Sequence, residues 1–137
     1  MNAPTSGSSS LRTILVIDDD RLFLGSLTDY VKANYPLLEI ITYADPVRGL
    51  AAINEHLDLL LLDLEMPGID GLKLLNYATQ KGVPKSRIII LSGRDAEDLH
   101  QLFPMGVCLA VLNKNEGRQK EVLDMVFNAL HEKCASC

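Results

Sequence analysis

Residues 59–68 read LLLLDLEMPG, so four leucines run directly into Asp63 and a Pro67-Gly68 turn follows. A buried ionised carboxylate is costly unless it is paired or coordinates a cation. Asp63 is therefore either a turn-forming detail or a working group. Three other apolar runs end on compatible chemistry. The run 14–17 is followed by Asp18, Asp19 and Asp20, the run 88–91 by Ser92, and the run 107–112 by Asn113 and Lys114. Carboxylates brought together repel and raise each other's pKa. A hard cation relieves that repulsion, and an oxygen-only donor set suits Mg²⁺, which keeps several of its waters. A half-hydrated Mg²⁺ beside a carboxylate attracts phosphate oxygens, to which Lys114 adds a charge and Ser92 a donor. An aspartate so placed can attack phosphorus and form an acyl phosphate. The protein then contributes positioning and charge neutralisation.

Each residue also has a plainer reading. Asp18 to Asp20 could cap the first helix, and taken alone that reading is favoured. Asp63 could shape the Pro67-Gly68 turn, Ser92 could be a loop serine, Lys114 a solvated lysine, and Glu65 a loop acid. His56, His100 and His131 fall in helical regions without clustering and read as surface or boundary residues. The set lifts the functional reading, because strand ends far apart in sequence carry groups that work together.

The elements that position these groups follow from periodicity. Short apolar runs at 14–17, 40–43, 59–62, 88–91 and 107–112 mostly lack the alternation of a half-wetted sheet. They fit strands covered on both faces, as in parallel sheets. Between them lie helical patterns. Residues 20–34 carry Phe23, Leu24, Leu27, Tyr30 and Val31 on one broad face. Asp45 and Pro46 open a helix with Leu50, Ile53 and Leu57 at helical spacing. Asp70 caps a helix carrying Leu72, Leu75 and Ala78, closed by Gly82 and Pro84. Asp95 caps a short fourth helix. Val122, Met125, Val126, Ala129 and Leu130 make the apolar stripe of the last. Strand and helix alternate five times, which predicts an α/β fold: a doubly wound parallel sheet with five helices on both faces. In such a sheet ligands gather at the carboxyl ends of the strands, where Asp18, Asp19, Asp63, Ser92 and Lys114 fall.

Composition narrows the function. The 137 residues suit one domain, with 47% hydrophobic and 23% charged residues. A net charge of −5 and no run of Lys or Arg argue against direct nucleic-acid binding. No apolar stretch approaches the roughly 20 residues of a membrane span. MNAPTSGSSS at the start reads as a polar tail rather than a signal peptide. The expected organisation is a disordered tail over 1–11 and a folded domain over 12–134, in the cytoplasm. Cys108 reads as a core residue, and Cys134 with Cys137 make a poor metal or redox pair at a frayed end.

The segments ILVIDDD at 14–20, LLLLDLEMPGIDGLKLL at 59–75, IIILSGRD at 88–95 and VLNKNE at 111–116 resemble the receiver domain of bacterial two-component response regulators. The resemblance spans about residues 12–131. RLFLGSL at 21–27 and MPGIDG resemble most the subfamily with a helix-turn-helix output domain, and so suggest transcription regulation. The resemblance implies a flavodoxin-like sheet of strand order 2-1-3-4-5 and a phosphorylation-dependent signalling switch. By motif position Asp63 would accept the phosphoryl group. Asp19 would ligate Mg²⁺ directly, Asp18 through water, and Glu65 through its backbone carbonyl. Ser92 and Lys114 would contact the phosphoryl group. The donor would be a histidine kinase or a phosphotransfer protein, and the chain would not be an enzyme in the turnover sense. A homodimer is left open.

Three positions depart from the family pattern. Val111 stands where a signalling aromatic is usual, so an aromatic rotamer switch is absent there. Asn115 replaces a proline after Lys114, and a cis bond before a non-proline residue costs about 2.5–4 kcal/mol, so a trans bond is expected. Gly93 replaces a small residue, often alanine, beside the hydroxyl. Glu65 and Arg94 flank the site and are expected to tune acyl-phosphate hydrolysis. Two alternatives compete with the switch: a magnesium-dependent phosphatase passing through phospho-aspartate, disfavoured because DLEMPG lacks the required second Asp and Thr, and a receiver-like scaffold that is never phosphorylated.

Overall fold

The computed structural model describes residues 11–65, 71–93, 109–114 and 117–135. Five strands, β1 (Arg12–Ile17), β2 (Leu38–Tyr43), β3 (Leu59–Asp63), β4 (Ile88–Ser92) and β5 (Ala110–Asn113), pair in parallel in the order β2-β1-β3-β4-β5. Among the described residues four α-helices accompany them: α1 (Arg21–Asn34), α2 (Pro46–Ala51), α3 (Gly71–Gln80) and α4 (Arg118–Ala135). A 3-10 turn at Lys85–Arg87 leads into β4. The expected helix after Asp95 and the Asp70 cap lie outside the described residues. So do the Pro67-Gly68 turn, His100, Arg94, Asn115 with its peptide bond, and the side chains of Cys108, Cys134 and Cys137.

Alternate side chains of the central strands enter two separate cores, because successive Cβ atoms of a strand point to opposite faces. Leu15, Ile17, Leu60, Leu62, Ile88 and Ile90 pack under Ile53, Leu57, Leu74, Leu75, Ala78 and Val83. Ile14, Val16, Leu59, Leu61, Ile89 and Leu91 pack under Leu24, Leu27 and Val31 of α1 and Leu123 and Phe127 of α4. Both faces being covered explains why the runs do not alternate.

Local chemistry sets the helix ends. Asp20 caps α1, accepting from the Phe23 amide at 3.1 Å, and Asp45 caps α2 with Pro46 in the first turn. Gly82, at φ +100°, ends α3 in a conformation that penalises a Cβ. Gly49 lets α2 lie against β1: a Cβ there would sit 2.8 Å from Ile17.

Two expectations need correction. The helix opened by Asp45 stops at Ala51, so Ile53 and Leu57 are buried from turns rather than from a helix. Asn54 is the cause. Its side chain accepts from the His56 amide at 2.8 Å and donates to the Ala52 carbonyl at 3.2 Å, competing with helical pairing. In α4 the buried line runs through Leu123 and Phe127, with Val122, Val126 and Leu130 beside it, whereas Met125 is 70% exposed and Ala129 faces water. The buried line thus sits one position away from the stripe that spacing predicts, because flanking residues of a broad apolar face repeat at the same spacing as its centre.

Phe127→Ala should therefore cost about 3–5 kcal/mol of stability, while Met125→Ala should stay within about 0.5 kcal/mol of wild type. Urea midpoints of the two variants decide between the phases; a larger loss for Met125→Ala would reverse this assignment.

Candidate functional site

The carboxyl ends of β1, β3, β4 and β5 bring four chemical groups together. Asp18 follows β1, Asp63 ends β3, Ser92 ends β4 and Lys114 follows β5. Parallel register makes this happen: Ile17 lies beside Leu62, Asp63 beside Leu91 and Ser92 beside Asn113. The ladder persists beyond the strands, with the Lys114 amide donating to the Ser92 carbonyl at 2.7 Å and the Leu64 amide to the Leu91 carbonyl at 2.8 Å. Asp18, Asp63 and Ser92 are the buried polar residues among those described, at 0%, 2% and 0% exposure. The Asp18-Asp19-Asp20 triplet divides its labour. Asp18 turns inward, Asp19 stays at the exposed rim, and Asp20 caps α1.

Ligand oxygens of Asp18, Asp19 and Asp63 lie within 4.8 Å of one another. Backbone amides fix two of these carboxylates, Asp20 N donating to Asp18 Oδ1 at 2.9 Å and Glu65 N to Asp63 Oδ1 at 3.1 Å. Lys114 Nζ is 2.6 Å from Asp18 Oδ2 but 4.0 Å from Asp63 Oδ1. The lysine is thus committed mainly to Asp18, and Asp63 is left short of positive charge. Burial pushes Asp63 up to about 7; the Glu65 amide opposes this, the Asp18 charge adds to it, and Lys114 offsets it only in part. Burial alone would lower the pKa of Lys114, yet the hydrogen bond to Asp18 and the charges of Asp63, Asp18 and Asp20 carry it upward. Three converging carboxylates and one ammonium ion, with no imidazole or thiolate beside them among the described residues, make a set that fits a hard divalent cation.

Glu65 does something its reading as a carbonyl ligand did not foresee. Its side chain accepts hydrogen bonds from the Ser92 hydroxyl, at 3.1 Å, and from the Gly93 amide. A second unforeseen neighbour is Phe23, counted from sequence as a core residue. Its ring centroid lies 4.9 Å from Lys114 Nζ, a cation–π distance that steadies the lysine. No spacing rule signals this contact, because it joins α1 to the end of β5. Val111 is half-buried and packs on the core beneath α2 and α3.

Together these features define a flavodoxin-like α/β protein with an acidic, cation-competent pocket at the carboxyl edge of its sheet. The response regulator receiver domain family matches residues 14–126, and the chain belongs to that family. A response regulator receiver domain from Clostridium thermocellum superposes with a TM-score of 0.71 at 25% identity, over 90% of this chain and 96% of that one. A CheY-like receiver domain protein from Methanospirillum hungatei gives 0.69 at 23% identity, over 93% and 99%. Protein-glutamate methylesterase/protein-glutamine glutaminase 3 of Geobacter sulfurreducens is 31% identical over 122 residues, covering 88% of this chain and 32% of that protein. The glycerol metabolism activator of Pseudomonas putida is 29% identical over 121 residues, covering 84% and 53%. The chain spans about half or less of the length of these curated relatives. The domain is a phosphoacceptor signalling switch. Among the described residues no helix is long and apolar enough to cross a membrane.

The raised Asp63 pKa has a measurable consequence. Between the usual 3.8 and about 7 the folded chain holds a proton that the unfolded chain has lost. The metal-free protein should therefore lose stability as pH rises through that window. Asp63→Asn should flatten this slope and, in EDTA at pH 8, stabilise the fold by about 2 kcal/mol, the scale of an undercompensated buried charge. Urea titrations across pH test both effects; a stability that rises with pH in wild type would contradict the assignment.

Proposed function

We propose that Asp63 is the acceptor of the switch, receiving a phosphoryl group from a histidine kinase or phosphotransfer protein. The observation that carries this reading is the convergence of Asp18, Asp19 and Asp63 around one point, with the only close ammonium among the described residues spent on Asp18. The carboxylates of Asp18, Asp19 and Asp63 and the backbone carbonyl of Glu65 would hold Mg²⁺. When bound, the ion supplies the positive charge that lets Asp63 ionise and a phosphoryl group approach.

The remaining work belongs to the chain. The Glu65 amide holds Asp63 Oδ1 and so orients the carboxylate. A carboxylate oxygen of Asp63 forms a bond to phosphorus as the bond to the donor nitrogen breaks, and the electron pair leaves with the donor. Lys114, already facing both Asp18 and Asp63, stands where it can meet the charge on the transferred group. Ser92, buried at the end of the neighbouring strand, offers a hydroxyl from the other side. The product is an acyl phosphate that adds negative charge to a buried pocket and so favours a different arrangement of the surrounding loops. On this reading the chain is an acceptor with slow self-dephosphorylation rather than a turnover enzyme, and its output is altered affinity for a partner.

Incubation with acetyl phosphate and Mg²⁺ should add one phosphoryl group, seen by intact mass. Asp63→Asn should abolish it, and EDTA should suppress it. Lys114→Ala should slow its formation roughly tenfold to hundredfold. Continuous release of inorganic phosphate without an accumulating adduct would instead support a phosphatase. Adduct formation on Asp63→Asn would remove Asp63 from its role.

A further inference from the structure

We propose that Glu65 is a built-in cap on the phosphoryl site, its carboxylate holding the Ser92 hydroxyl and the Gly93 amide and having to swing away before a phosphoryl group can enter. This rests on the reading of Asp63 as acceptor. Three observations support it. First, one Glu65 oxygen, Oε1, receives both donors. An anionic oxygen between a hydroxyl and a backbone amide is the arrangement a phosphoryl oxygen would adopt there, so the two anions compete for one place. Second, the chain path delivers Glu65 to that place. The Leu64 amide continues the ladder to Leu91, which carries the residue after it alongside Ser92 and Gly93. Third, Glu65 is exposed, whereas Asp63 and Ser92 are buried. Its side chain can rotate into water without opening a cavity. Its own amide meanwhile keeps its bond to Asp63 Oδ1, so the cap can open while the acceptor stays oriented.

The cap also acts through charge. Glu65 adds a carboxylate to a rim that already holds Asp19, beside the buried Asp18 and Asp63. A free phosphate anion must displace it and enter against its field. The cap therefore lowers phosphorylation by small anionic donors. Glu65 is a positioning residue for the resting site, and it makes no bond to phosphorus.

The test uses beryllofluoride with Mg²⁺ as the phosphoryl probe, alongside the NMR signal of the Gly93 amide. In the metal-free, unphosphorylated protein, Glu65→Ala should move the Gly93 amide proton upfield, since a charge-assisted hydrogen bond deshields it. Glu65→Ala should then bind beryllofluoride roughly tenfold more tightly than wild type, with Glu65→Gln in between because it keeps the oxygen and loses the charge. Reaction with acetyl phosphate should accelerate in the same order. Urea midpoints should stay close to wild type, since the side chain is exposed. An unmoved Gly93 signal overturns the cap, and so does equal or weaker beryllofluoride binding by Glu65→Ala. A beryllofluoride complex in both proteins at equal affinity sinks the cap alone. No complex in either protein sinks the acceptor reading and the cap with it.

Discussion

A parallel sheet buried on both faces leaves polar side chains very little room. The central residues of β1, β3 and β4 are at 0–1% exposure, and helices cover both sides of them. Within the sheet the backbone groups satisfy one another in the ladder. Chemistry can therefore appear only at the strand ends, and the strands point in one direction. Register then decides which residues meet. With Ile17 beside Leu62 and Asp63 beside Leu91, the first polar residues after each apolar run arrive together. A slip of one residue would turn every apolar side chain to the opposite face. The register that buries the core is thus the register that assembles the site.

The assembled site is electrostatically unfinished. Asp18 is fully buried and relies on Lys114 at 2.6 Å, while Asp63 is also buried and sees the same ammonium at 4.0 Å. A single positive charge cannot neutralise three carboxylates, so one of them is pushed toward its protonated form by burial. Such an arrangement opposes folding stability locally and favours any ligand that brings positive charge. Tension of this kind is usual at sites that must change state, because a fully satisfied pocket would have no reason to respond.

The helices tie that edge to a wider surface. Lys114 lies over Phe23 of α1. Further along, Asp124 of α4 accepts from Tyr30 at 2.5 Å and from Tyr35 at 3.1 Å. That hydrogen bond is the main reason the Tyr30 phenol is pushed up to about 12, with desolvation adding to it. Tyr35 also meets Phe127 edge to face at 5.8 Å. The lysine beside Asp63 is therefore in contact with a helix pair held by both polar and aromatic contacts.

Much of this was legible in the chain as written. Uninterrupted runs such as ILVI and LLLL marked strands covered on both faces, and their alternation with capped helical segments required a parallel sheet. The acids and the lysine that follow those runs marked its working edge, since a sheet of that kind exposes side chains mainly at its strand ends. Local signals sufficed for the caps at Asp20 and Asp45 and for the stop at Gly82. The phase of α4, the early end of α2, the Phe23 contact and the grip of Glu65 on Ser92 and Gly93 were not legible. Each depends on a neighbour distant in sequence, or on competition between near-equal local choices. Residue type and spacing determine which groups reach the edge; only three-dimensional packing decides which of them touch, because distances of 2.6 and 4.0 Å from one ammonium ion to two carboxylates are set by how whole strands and helices settle against one another.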